Sequence, residues 1–222
     1  MARDCAEPGA ALGPAVIHLR RIALVRWAAI VVLVAALYWG AVFLAMHVLQ
    51  PEFSPIKAPG SAYVLGAYGA WMTTTYFALC SALVATALGL RQSVPATGMS
   101  RTAITAFLIA GGGTVLAALN PMDFPGPPHS TSGRLHAVGG ALTFLPWIVG
   151  AFLFSLEMRR DDRWRRYSTT LLMLSAGSIA LAVVLIGSML VLGFAGYAQR
   201  LVLALLFAWM IVVALHLVRS PS

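Results

Sequence analysis

Between Arg26 and Glu52 no residue carries a fixed charge. The same holds from Arg101 to Asp123, from His136 to Glu157, from Arg166 to Arg200 and from Arg200 to Arg219. A helix needs about 20 predominantly apolar residues to span the hydrocarbon of a bilayer, where every backbone polar group must be satisfied internally. Several of these runs meet that length, which restricts the chain to an all-α integral membrane fold. Composition agrees. Hydrophobic residues make up 60% of the chain and charged residues 10%, against about 25% charged in an ordinary soluble domain.

Read by run length, six transmembrane helices are expected at about Trp27–Val48, Ala62–Leu90, Thr102–Asn120, Leu135–Leu156, Ser168–Gly193 and Arg200–Val218. The chain then divides into an N-terminal tail 1–26, a six-helix bundle 27–219 and a C-terminal tail 220–222. An even number of crossings places both termini on one side. Twelve arginines fall on that side: Arg3, Arg20, Arg21, Arg26, Arg91, Arg101, Arg159, Arg160, Arg163, Arg165, Arg166 and Arg219. Only Lys57, Arg134 and Arg200 fall on the other. Because excess Lys and Arg marks cytosolic loops, both termini are expected in the cytosol of a bacterial cell, with the bundle in the inner (plasma) membrane. Loops 49–61, 121–134 and 194–199 then face outward.

The same asymmetry accounts for the net charge of +8. No aromatic-interleaved basic patch argues for nucleic acid, so that partner is excluded. Cys5 and Cys80 offer no disulfide framework. A cleavable signal peptide is not expected, since the leading segment carries Asp4 and Glu7 and lacks a small-residue cleavage site.

Three glycines in "AGGGT" (Ala110–Thr114) fall in the middle of the third helix. Each would cost about 1 kcal/mol relative to alanine in a helix in water. In a membrane they permit close approach of another helix, which is the expectation here, with a hinge or cleft as the alternative. Pro146 in "TFLPW" is expected to kink the fourth helix and open a gap in the wall. "RRDDRWRR" (Arg159–Arg166) reads as a solvated cytosolic loop.

Chemistry is concentrated on the outer face. "NPMDFPGPPHSTSGRLH" (Asn120–His136) holds Asp123, His129, Arg134 and His136 between two apolar runs. His47 ends the first helix, Glu52 follows it, and Gln199 and Arg200 begin the sixth. An Asp–His pair can act as general base and orienter, so Asp123 and His136 are the candidate catalytic residues. Arg200 with a protonatable pair beside it could receive an anionic headgroup or an isoprenoid phosphate. Bland readings stand next to these: Asp123 as a turn residue, His136 as a cap, Arg200 anchored to lipid phosphate and His47 snorkelling at the interface. No metal ligand set is expected, since no HxxxH, HExxH or CxxC occurs. A Gly-x-Ser-x-Gly elbow is also missing, and no pair of histidines is placed to hold haem. The cofactor is left unknown.

The segment "SPIKAPGSAYVLGAYGAWMTTTYFALCSALVATALGLR" (Ser54–Arg91), followed by "NPMDFPG", "TSGRLH" and "GYAQR", resembles the bacterial and archaeal membrane family called domain of unknown function 998. The resemblance runs from about the first helix to the C-terminus. It implies roles for Asp123, Thr131, Gly133, His136, Gln199 and Arg200, whereas His47, Glu52, His129 and Arg134 rest on position alone. It implies no activity.

Three functions stay open. The first is a lipid or isoprenoid binding protein with Arg200, Gln199, His47, Thr131 and Gly133 as ligand contacts. The second is a small intramembrane hydrolase or acid-initiated cyclase using Asp123 and His136. The third is a small-solute or proton-coupled permease, for which the midplane offers only hydroxyls such as Thr73–Thr75, Thr114 and Ser188.

Overall fold

The computed structural model describes residues 13–189 and 193–219. Arg3, Cys5 and the C-terminal tail 220–222 therefore lie outside the described residues. Six helices form: α1 Pro14–Leu49, α2 Gly69–Ser93, α3 Gly98–Leu119, α4 Thr131–Met158, α5 Arg165–Gly187 and α6 Ala195–Arg219. All six are long and apolar enough to cross a membrane. The protein is a multi-pass membrane protein.

Consecutive helices pack side by side, and α1 also packs on α6, so the bundle closes into a ring. Two faces result. One carries the connections 50–68 and 120–130 and is called here the long-loop face. The other carries the arginine-rich connections.

α1 departs most from expectation. Its 36 residues span about 54 Å at 1.5 Å per residue, well beyond the roughly 30 Å of a bilayer core. Arg20, Arg21 and Arg26 mark where the membrane is expected to begin, not where the helix begins. Pro14 at the first helical position starts it, where the missing N–H costs nothing. The Arg21 Nε then donates to the Gln92 carbonyl at 2.6 Å and ties the extension to the end of α2.

α2 is correspondingly shorter than expected. Residues Gly60–Leu65 form a separate 3-10 turn, and α2 starts only at Gly69, where a Cβ would collide with the Val64 carbonyl. α3 opens with a capping box: the Thr97 hydroxyl accepts from the Ser100 N–H while the Ser100 hydroxyl accepts from the Thr97 N–H.

The glycine run does what close packing requires. A Cβ on Gly113 would meet the Leu142 carbonyl carbon and the Thr143 nitrogen at 2.7 Å, and one on Gly139 would meet the Ala117 nitrogen at 2.6 Å. α3 and α4 therefore touch backbone to backbone. At that contact Thr114 and Thr143 come within 3.4 Å of each other. α4 passes through Pro146 as one helix, and a groove lined by Arg101, Thr105 and Val149 runs beside that proline.

At the arginine-rich face the loop after α4 is anchored more firmly than a solvated loop would be. Trp164 is buried, with His216 at 4.0 Å and Phe154 at 5.7 Å between ring centroids. Arg163 pairs with Asp161 at 2.8 Å and donates to the Ser93 carbonyl at 3.1 Å. That pairing holds the Asp161 carboxyl below its ordinary range.

Candidate functional site

On the long-loop face Arg200 and Asp123 each centre a cluster whose charge is satisfied by the protein itself, while the buried Gln50 Oε1 in the same face has no hydrogen-bond partner. In the first, Arg200 reaches from the top of α6 into the 50–68 loop. Its Nε donates to His47 Nε2 at 3.1 Å, and Nη1 donates to the Ala58 and Gly196 carbonyls, both at 2.9 Å. Nη2 donates to the Tyr63 hydroxyl at 3.2 Å. The guanidinium also stands over the rings of Phe43 and Tyr63, at 5.3 and 5.7 Å. Four bonds occupy a side chain that has five N–H donors.

His47 Nδ1 lies 2.8 Å from the Phe43 carbonyl. A carbonyl can only accept, so Nδ1 carries the proton and Nε2 is left to accept from Arg200. Next to this knot, Gln199 Oε1 accepts from the Gly60 N–H at 2.7 Å, and the Tyr197 N–H donates to the Ile56 carbonyl at 3.1 Å. The start of α6 thus organises a loop some 140 residues earlier in the chain. Gly196 permits this, since a Cβ there would strike the Ala58 carbonyl.

The second cluster is the 120–130 loop. Asp123 Oδ2 accepts from the backbone N–H groups of His129 and Ser130, both at 2.9 Å, and Oδ1 accepts from the Ser130 hydroxyl at 2.9 Å. His129 Nδ1 lies 3.5 Å from the same carboxylate. The Ser130 N–H is the leading cause, followed by that of His129, of a carboxyl pKa held below its ordinary value. Ser130 is also the N-cap of α4, accepting from the Gly133 N–H. Gly133 is glycine because a Cβ there would overlap the Asp123 carboxylate. Thr131, the first residue of α4, is exposed, as are Glu52, His129 and Arg134.

The two expected catalytic residues, Asp123 and His136, engage different partners. Asp123 and His136 are not hydrogen-bonded to each other. Asp123 closes its own loop with residues six and seven positions ahead. His136 turns instead to α3, with Nδ1 2.8 Å from the Asn120 carbonyl and 3.1 Å from that of Ala117. Both partners are acceptors, so Nδ1 carries the proton and the free nitrogen of neutral His136 is Nε2.

His136 lines a cavity of about 80 Å³ beneath the two loops. Gly60, Ser61 and Gln199 bound it towards the long-loop face; Thr75, Tyr76, Thr114 and Thr143 supply hydroxyls deeper in the bundle. Trp39, Phe43 and Phe144 are among its apolar walls. No Lys, Arg, Asp or Glu lines it. The rings of Tyr76 and His136 stand edge to face, 6.1 Å apart. Although the Tyr76 ring is only half-buried, its hydroxyl oxygen is fully buried and has no hydrogen-bond partner. Ser61 lies beside it; the Ser61 hydroxyl donates to the Met122 sulfur at 3.0 Å, which leaves its lone pairs able to accept.

Sequence reasoning named His136 and Gln199, and gave Thr75 and Thr114 only as midplane hydroxyls, but missed Tyr76 and Thr143 as site residues. A usable signal existed in Gly113–Thr114, where the close approach permitted by the glycine brings the neighbouring hydroxyl to a helix interface. Among the described residues, no three His, Cys, Asp or Glu side chains gather as a metal ion would require.

The matched region covers α2 to α5 whole, together with the second half of α1 and most of α6, and so takes in every residue of both clusters and the cavity. The chain belongs to the family described as Protein of unknown function (DUF998), whose profile matches residues 32–216. No curated protein matches it, and no solved structure does. In this DUF998 chain the family match begins within α1, so the helical extension 14–31 precedes it.

Proposed function

We propose that this DUF998 protein binds a membrane lipid without transforming it, holding the lipid's end group in the cavity under the long-loop face. The observation that carries this reading is the buried, unpartnered Tyr76 hydroxyl in a cavity that also holds His136. A buried polar group without a partner costs about 1–3 kcal/mol, and a ligand that satisfies it removes that cost. Size limits what enters. A water needs roughly 10–15 Å³ by this measure, so the cavity takes about five waters or the end of a lipid. A whole isoprenoid chain does not fit, and its tail would lie outside among the bilayer lipids.

In this reading the long-loop face is the outer face, both termini are cytosolic and the bundle sits in the inner (plasma) membrane of a bacterial cell. The arginine distribution supports that orientation. Arg200, His47, Thr131 and Gly133 become supports of the roof instead of ligand contacts, while Gln199 serves both. An acid–base enzyme built on Asp123 and His136 is less well supported, because the two direct their polar atoms to different partners.

The test is native mass spectrometry of the protein released from lipid nanodiscs. Wild type is expected to retain one lipid that Tyr76→Phe and His136→Ala lose and Asp123→Asn keeps. A bare wild-type chain, or equal retention in all four proteins, would remove the proposal.

A further inference from the structure

The cavity's hydrogen-bonding inventory is lopsided, and the imbalance specifies a ligand class. Thr75 donates its proton to the Met72 carbonyl at 2.6 Å, Thr114 to Ala110 at 2.8 Å and Thr143 to Gly139 at 2.8 Å. Each hydroxyl is therefore left with lone pairs to offer. In its neutral form His136 is in the same position, because Nδ1 faces the Asn120 and Ala117 carbonyls and Nε2 is left to accept. Ser61, whose proton goes to the Met122 sulfur, makes a fifth acceptor, and against these five stand three donors: the Tyr76 hydroxyl, the Trp39 indole N–H and the Gln199 amide NH2, whose oxygen is already engaged by the Gly60 N–H.

A group that complements this set must itself donate, which an ionised phosphate or carboxylate cannot do. It must also be uncharged. No cation lines the cavity to receive an anion, and no carboxylate lines it to receive an ammonium. The nearest guanidinium, Arg200, already has four bonds within the roof. Burying an uncompensated charge under these conditions is far costlier than burying a hydroxyl. A hydroxyl does both jobs at once: it donates to His136 or a threonine oxygen and accepts from Tyr76.

Resting on the lipid-binding reading above, we infer that the ligand is a membrane-dissolved alcohol, held by its uncharged hydroxyl end, and not a lipid phosphate or a fatty acid. The expectation reverses the one that Arg200 raised from sequence, because that arginine's donors face the protein.

Three probes with one tail separate the possibilities: dodecan-1-ol, dodecyl phosphate and dodecane, each added to protein in nanodiscs of zwitterionic lipid and read by native mass spectrometry. The alcohol is expected at about tenfold higher occupancy than either of the others, as one well-made hydrogen bond provides. Thr143→Val, which nearly keeps the side-chain volume and removes the lone pairs, and Tyr76→Phe should each abolish most of that preference while the protein still melts as a folded bundle. Preference for the phosphate would overturn the inference while leaving lipid binding intact, with Arg200 as its seat. Equal binding of the alcohol by wild type and both variants would take the ligand out of this cavity. Retention of neither added probe nor native lipid would overturn the inference and the lipid-binding reading together.

Discussion

The roof and the cavity beneath it treat polar groups in opposite ways. In the roof, Arg200 is surrounded by a histidine nitrogen, two carbonyls and a phenol, and Asp123 by two backbone N–H groups and a hydroxyl. On the cavity wall, Tyr76 has a buried hydroxyl that makes no hydrogen bond. Charged side chains at a membrane surface draw attention in a sequence, yet here they are the satisfied ones. Among the groups that line the cavity, the buried one without a hydrogen bond is an uncharged tyrosine that reads as ordinary helix. Unmet hydrogen-bonding capacity is the better guide to a ligand than charge.

The contrast depends first on the α3–α4 contact that brings Thr114 to Thr143. Replacing Gly139 by leucine should push the helices apart and destroy roof and cavity alike, costing on the order of 3 kcal/mol or more. Fluorescence-detected size exclusion should then show loss of the monodisperse peak. A normal peak would mean the backbone contact is dispensable.

Arg200→Ala comes next. Removing a guanidinium that makes four internal bonds should destabilise the roof by about 2–4 kcal/mol, since bonds to a charged donor are each worth about 1.5–3 and some are replaced by water. Thermal melting in nanodiscs checks this. Arg200→Lys should recover little, because an ammonium cannot span the His47, Ala58 and Tyr63 partners at once. A melting temperature equal to wild type would make the roof a bystander.

Asp123 sharpens the comparison through pH. Its folded-state pKa lies below the ordinary 3.8, so its contribution is present above that value and is lost as pH falls through the folded pKa. Melting curves of wild type should therefore lose stability below about pH 4, and Asp123→Asn should lack that limb of the profile. Superimposable profiles would remove Asp123 from the roof's hydrogen-bonding account.

The smallest effect belongs to the cavity. In ligand-free protein, Tyr76→Phe deletes an unpartnered buried hydroxyl, so stability should stay level or rise by up to about 1 kcal/mol. A loss of more than that without ligand would show the hydroxyl already has a partner.

Much of the fold was legible from charge spacing alone, because a run of about 20 uncharged residues has almost one structural outcome in lipid. The exceptions follow from what that signal measures. Arg20, Arg21 and Arg26 report the membrane boundary, so they concealed a helix that already begins at Pro14. The apolar stretch 62–68 looked like the start of α2 but folds into the roof, where Tyr63 packs between Phe43, His47 and Phe53. The close packing of Gly113 was readable because glycine in a membrane helix has few other uses. The Asp123–His136 pairing was not. Which of two neighbouring histidines a carboxylate meets depends on the path of a proline-rich loop, which residue order does not fix. Thr143 was invisible, and Thr75 showed only as a midplane hydroxyl, for a different reason: a hydroxyl bonded back to its own helix looks the same in sequence whether its lone pairs face lipid, protein or an empty space.

The knot around Arg200 also sets an order of events during synthesis. His47 and the Gly60 turn leave the ribosome roughly 140 to 150 residues before Gln199 and Arg200. At about 5–20 residues per second, that is a wait on the order of ten seconds. Through that interval the first loop has no clasp and the space below it stands open to whatever the surrounding leaflet contains. The last helix to arrive is the one that shuts it, so the cavity is finished only when the sixth span is in place.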